Sequence, residues 1–141
     1  MSEFLKLDRS SSNLMQLHIG GKEIKEGWKR LNAIPAEGVD FVGDIRDLSQ
    51  FPDGCCEKVY ASHVMEHIGQ RDFLPTLKGI HRILCKAGTL YFSVPDLEVL
   101  CRLFLNPELN KTQRFHVMKM MFGGQLDDYD FHHIGLSLEF V

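Results

Sequence analysis

Several side chains able to bind or exchange protons follow short apolar runs. Val39-Asp40-Phe41-Val42-Gly43 ends on Asp44, and Lys58-Val59-Tyr60-Ala61 ends on Ser62 and His63, with Glu66 and His67 close behind. A third run, Thr89 to Val94, stops at Pro95-Asp96. Ligand atoms at successive strand ends are how an open α/β sheet builds a crevice for a nucleotide-like cofactor. Gly20 and Gly21 follow another apolar run, Leu14 to Ile19. Glycines there let the backbone approach a ligand and take a positive φ. The segment Gly123 to His133 gathers glycines, three carboxylates, the phenol of Tyr129 and the imidazoles of His132 and His133. It reads as a loop, and loops beyond strand ends commonly carry substrate groups. Either imidazole is suited to take a proton from a hydroxyl or amine.

His63, Glu66 and His67 also spell H-x-x-E-H, which on a regular helix can hold zinc, with a third ligand such as Glu139. The residues before His63 read instead as a strand that ends there, so the two imidazoles would not share one helix. No metal site is expected. The cysteines Cys55, Cys56, Cys85 and Cys101 include no C-x-x-C pair and read as free thiols.

The elements that must position these groups fit one domain of 141 residues, with residues 1–13 a polar, Ser-rich flexible lead-in and residues 14–141 the folded part. Apolar residues make up 44% and charged residues 25%, as in an ordinary globular chain. Net charge is −3 and no Lys/Arg block forms a phosphate-tracking stripe, so no nucleic-acid partner is expected. No apolar run approaches membrane-spanning length and Met1 to Lys6 has no signal-peptide core, so a cytoplasmic chain without a membrane partner is expected. Strands are expected at Leu14–Ile19, Trp28–Leu31, Phe41–Gly43, Lys58–Ala61 and Leu90–Val94. The six residues Lys22 to Gly27 between the first two strands are too few for the usual crossover, so a parallel pair there implies a missing or reduced first helix. Phe73, Leu74, Leu77, Ile80, Ile83 and Leu84 recur at helical spacing over Arg71–Leu84, and Lys86-Ala87-Gly88 reads as the stop. Helices are also expected over Leu97–Leu105 and Thr112–Phe122, the latter with Phe115, Met118, Met121 and Phe122 on its face.

The ordered set Leu17-His18-Ile19-Gly20-Gly21, Gly27-Trp28, Val42-Gly43-Asp44, Tyr60 to His67, His81 to Leu84 with Gly88-Thr89-Leu90, and Ser93-Val94-Pro95-Asp96 resembles class I S-adenosylmethionine-dependent methyltransferases of the type 11-like kind. The resemblance covers residues 14 to about 140 and implies a Rossmann-like α/β fold with S-adenosyl-L-methionine as cofactor. It matches Gly20 and Gly21 to the glycine turn, and Ser62 and His63 to the crevice beyond the fourth strand. Asn32 stands where the family commonly has a carboxylate for both ribose hydroxyls; an amide lacks its charge-assisted strength. Asp44, with the backbone of Ile45, matches the adenine position. Lys22 stands where a further glycine is usual.

The resemblance implies a mostly parallel sheet of about five strands with helices on its faces. The family's final antiparallel hairpin is expected to be missing, so that either a homodimer partner covers the apolar surface this leaves or the chain is a truncated form. Methyl transfer to an O, N or C nucleophile of a small-molecule or glycan-like acceptor is expected, with His67, Tyr129, His132 and His133 on the acceptor side. No catalytic residue is assigned, because alignment of nucleophile and methyl does most of the work. The competing class is a non-enzymatic binding or assembly module with a degenerate cofactor site.

Overall fold

The computed structural model describes residues 14–140. The expected lead-in over residues 1–13 lies outside the described residues. Five strands form one sheet: β1 (Met15–Ile19), β2 (Trp28–Asn32), β3 (Phe41–Val42), β4 (Cys56–Ser62) and β5 (Leu84–Ser93). They run in the order β3-β2-β1-β4-β5 and every neighbouring pair is parallel, as in a Rossmann-like methyltransferase sheet. All five therefore end at the same edge. The order reverses at β1, which leaves a crevice outside the ends of β1 and β4, where open α/β sheets hold ligands.

Helix α1 (Gln70–Ile83) precedes β5, and α2 (Leu97–Leu105) and α3 (Lys111–Phe122) follow it. Asp96 caps α2 by accepting from the backbone of Glu98 and Val99, and Asn110 and Gln113 form a reciprocal capping box on α3. No helix of the described residues is long and apolar enough to cross a membrane.

Side chains alternate along each strand, and one face carries the core. Leu17 and Val59 form one buried row, and Ile19, Leu31 and Ala61 another, with Leu90 and Phe92 of β5 packed against them. Ile80 and Ile83 of α1, with Ile45, Leu48, Phe51, Met65 and Ile68, cover this face. The opposite face carries a row from Arg30 through His18 and Tyr60 to Tyr91. The reduced first helix leaves part of this face open among the described residues. His18, Trp28, Lys58, Tyr60 and Tyr91 line an open groove of about 650 Å³ whose walls, from the strands and the segment before β2, include no helix. A crossover helix between β1 and β2 is missing, as the short connection implies. Trp28 sets its ring edgewise on His18 and Tyr60, at centroid distances of 6.4 and 6.3 Å.

Three expectations change. Helix α1 matches the expected span to one residue at each end, but β5 begins at Leu84 and not at Leu90, so Lys86-Ala87-Gly88 lies inside the strand: Leu84 is already extended and pairs with Cys56. The pairing then jumps from Cys56–Leu84 to Lys58–Thr89, so residues 85–88 bulge out of β5. Leu74 is exposed, while its helical neighbours Phe73, Leu77 and Ile80 meet the core. On α3 the buried residue is Val117, and Phe115 and Phe122 stand more than half exposed.

Candidate functional site at the strand ends

The turn after β1 is built on glycine for a local reason. Gly20 has φ +74°, and a β-carbon there would lie 2.6 Å from Val64 Cγ2. A β-carbon on Gly21 would meet the imidazole of His18 at 2.2 Å. The chain's own side chains thus fill the space that the glycines open. Below the turn lies Arg30, 3% exposed. Its guanidinium donates to the carbonyls of Lys22 at 2.6 Å and Gly38 at 2.7 Å, and also to those of Glu37 and Gly21. This one side chain fastens the post-β1 turn to the loop before β3, a role that a helix would otherwise have. Sequence reading missed Arg30; its only signal was a cation inside the second strand, between Lys29 and Leu31.

Asn32, the last residue of β2, donates its amide to Gly21 O at 3.1 Å. Its side-chain oxygen remains an acceptor at the crevice. Asp44, two residues past β3, is held by Arg46 through three side-chain contacts of 2.6–3.1 Å and a backbone bond of 2.8 Å. The guanidinium holds the Asp44 carboxyl below its ordinary value against partial desolvation. Asp44 is ionised and keeps lone pairs for a further donor. Ile45 turns its side chain into the core.

At the ends of β4 and β5, Ser62 and Ser93 share a hydrogen bond of 2.8 Å. His63 takes φ +53°, the left-handed region that non-glycine residues avoid, and donates its backbone N–H to Ser93 O. The strained residue ends β4 abruptly. Beyond it Met65–His67 form a single 3-10 turn, so His63 and His67 do not share a regular helix.

The loop after α3 closes over this turn. His133 and Ile134 both donate backbone N–H to Glu66 O, and Leu136 bridges to Asp96 beyond β5. His67 Nδ1 lies 2.9 Å from Phe131 O, and His132 Nδ1 lies 2.9 Å from Met120 O. The two rings meet edge to face at 4.9 Å. A carbonyl only accepts, so in each ring Nδ1 carries the proton and Nε2 is left with its lone pair. Of the four acceptor-side candidates, the structure brings His67 and His132 together and ties His133 to the same turn by its backbone. The His133 ring stacks on Phe131 at 6.4 Å, and Tyr129 stands more than half exposed. Glu66, 2% exposed, is the buried acid among them.

S-adenosylmethionine, if bound, would meet the polar groups at the strand ends. Three successive ends present a positive-φ glycine turn, an amide oxygen and an ionised carboxylate. No curated protein matches the chain closely enough to count as a relative. The family model for a methyltransferase domain matches residues 2–92, more than half of the chain and almost all of the sheet. With that match over a parallel five-stranded sheet of the right order, the chain belongs to the methyltransferase-domain family.

Proposed function

We propose that the chain is an S-adenosylmethionine-dependent methyltransferase acting on an O, N or C nucleophile of a small-molecule or glycan-like acceptor. One observation carries this reading: Asn32, Asp44 and Ser62-His63 lie at the ends of three parallel strands, on one edge of a sheet within the family match. Asp44 would accept from the adenine amine, with the Ile45 backbone donating to a ring nitrogen. The Asn32 oxygen would accept from the ribose, and the Gly20-Gly21 turn would border the remainder. When bound, the cofactor supplies a methyl group that its sulfonium has already made electrophilic. The chain's own task is then to bind, orient and exclude water. The loop Gly123–His133, pinned to Glu66 O, would cover the acceptor side, and His132 or His133 would take the acceptor's proton at a ring nitrogen. We also take the working unit to be a homodimer.

Titration calorimetry with S-adenosylhomocysteine tests the reading. Binding that weakens in Asp44→Ala supports it. A second reading, a non-enzymatic module, draws on the hydrogen bonds already spent within the chain: the Asn32 amide on Gly21, the Asp44 carboxylate on Arg46. No heat of binding at millimolar ligand would favour that module.

A further inference from the structure

We propose that Glu66, His67 and His132 form a binding site for a divalent transition-metal ion, zinc being the best match. The donor atoms of these three residues lie within 4.8 Å of one another. This is not the H-x-x-E-H set, whose first histidine is replaced here by one from the loop 65 residues further along the chain than His67.

Three independent features prepare the site. First, Glu66 is 2% exposed, yet its Oε2 has no hydrogen-bond partner, while Oε1 meets only His63 Nδ1 at 3.2 Å. A carboxylate oxygen sealed from water without a donor is rare, because burial of an unpaired polar atom is costly. A cation satisfies it. Second, both imidazoles are oriented by their other nitrogen: Nδ1 of His67 donates to Phe131 O and Nδ1 of His132 to Met120 O. Metal-ligating histidines almost always make such a bond, which fixes the tautomer and leaves Nε2 to ligate. Third, Glu66 and His132, though not His67, border a void of about 10 Å³ whose other walls include Pro95, Leu97, Met120 and Met121, so space for one small occupant adjoins two of the three ligands.

The donor chemistry sets the class of ion. Two imidazoles and one carboxylate suit zinc or another borderline first-row ion; magnesium and calcium prefer oxygen donors throughout. In a tetrahedral zinc site with arms of 2.0–2.1 Å the ligand atoms stand about 3.3 Å apart. The most widely separated pair must therefore close in by up to about 1.5 Å. Glu66 is held by its neighbours, but His67 and His132 are part-exposed and can turn about their side-chain bonds. Three protein ligands leave one position open, as in sites that bind water or a substrate atom. The inference stands on this geometry and not on methyl transfer. It does bear on His132: an Nε2 that ligates a cation cannot take a proton, so that task would fall to His133.

The test is a titration of the metal-stripped chain with zinc, read by equilibrium dialysis with elemental analysis and by thermal melting. Four thiols could compete, so it is run on a Cys55→Ser/Cys56→Ser/Cys85→Ser/Cys101→Ser chain and on the parent. One zinc per chain in both, with a rise in Tm, is expected. His132→Ala, a loop substitution, should lower the affinity at least tenfold and abolish the Tm rise, as should His67→Ala. Magnesium should give neither signal. Zinc bound with parent affinity by both histidine variants, zinc lost with the thiols, or no zinc bound at all would each overturn the proposal; the last result would mean that the void holds water only. If the four-serine chain does not fold, cobalt absorption of the parent decides: thiolate charge-transfer bands would place the metal on cysteine and refute the site.

Discussion

The side-chain amide of Asn32 donates to the carbonyl oxygen of Gly21 at 3.1 Å, so the end of β2 holds the glycine turn at the end of β1. Asn32→Ala removes this bond and the acceptor oxygen together. Stability should fall by about 1 kcal/mol, the usual net worth of one hydrogen bond. Affinity for S-adenosylhomocysteine should fall as well. Urea denaturation and calorimetry measure the two separately. If only stability changes, Asn32 is a clasp for the turn and not a ribose ligand.

Asp44 is the sharper probe of the cofactor site, because its structural partner is an exposed arginine. Loss of a surface ion pair costs less than about 1 kcal/mol, so Asp44→Ala should stay folded. Loss of a hydrogen bond from the ligand to an ionised group should weaken S-adenosylhomocysteine binding by about 1–3 kcal/mol. Arg46→Ala is the control. It breaks the same ion pair but leaves the carboxylate, and should bind at least as well as Asp44→Ala by the same calorimetry. Equal affinity of Asp44→Ala and the parent would remove Asp44 from the site.

The two turn glycines should respond differently to alanine. At Gly20 the positive φ and the contact with Val64 act together. A non-glycine residue in the left-handed region costs about 1–2 kcal/mol, before Val64 is pushed aside. At Gly21 the obstruction is the His18 ring, a side chain that can turn away. Gly20→Ala should therefore destabilise more, and His18→Ala should rescue Gly21→Ala but not Gly20→Ala. Melting temperatures of the four variants would settle the order.

What could be read from the sequence follows from how local each cause is. The five strands could be placed because each is one contiguous stretch of chain, whereas their order in the sheet is a matter of long-range pairing. The absent first helix followed from counting Lys22 to Gly27. The role of Arg30 was hidden because its acceptors are backbone carbonyls, which carry no sequence signal. The partnership of Glu66 and His67 with His132 was hidden for another reason: it depends on how the loop after α3 returns to the end of β4. The late start expected for β5 came from reading Lys86-Ala87-Gly88 as a connection, whereas Gly88 sits beside Cys56 O and Leu84 in a bulge inside the strand.

His18 makes stability sensitive to acid. Burial first, and then repulsion from Lys25 and Arg30, holds its imidazole below the ordinary value of 6.5. The unfolded chain thus binds the proton more readily than the folded one. The stability contributed by neutral His18 is complete above 6.5, and is lost as pH falls through the window between 6.5 and the lower folded value. In His18→Gln that part of the pH dependence should vanish. Urea midpoints for both chains from about pH 7.5 down to about pH 5.5 would show it as a narrowing difference. Parallel curves would mean that the imidazole is not titrating in its aromatic setting.

The last prediction concerns self-association. On α3 and the loop after it, Phe115 is 55% exposed, Phe122 56% and Leu126 88%. Met120 adds a flexible apolar side chain beside them, of the kind that adapts to a partner surface. A specific interface buries more than about 1,000 Å² in total, and the exposed side of one three-turn helix with its loop is on the scale of one partner's share. A second copy is the occupant that meets the same patch at equal concentration, and a two-fold pair would set α3 against α3. Light scattering over a concentration series should give twice the chain mass, and Phe115→Ser/Phe122→Ser should return it to one. These side chains contribute little to the chain's own core, so the double variant should melt as a folded protein. A parent chain that stays monomeric at high micromolar concentration would refute the dimer.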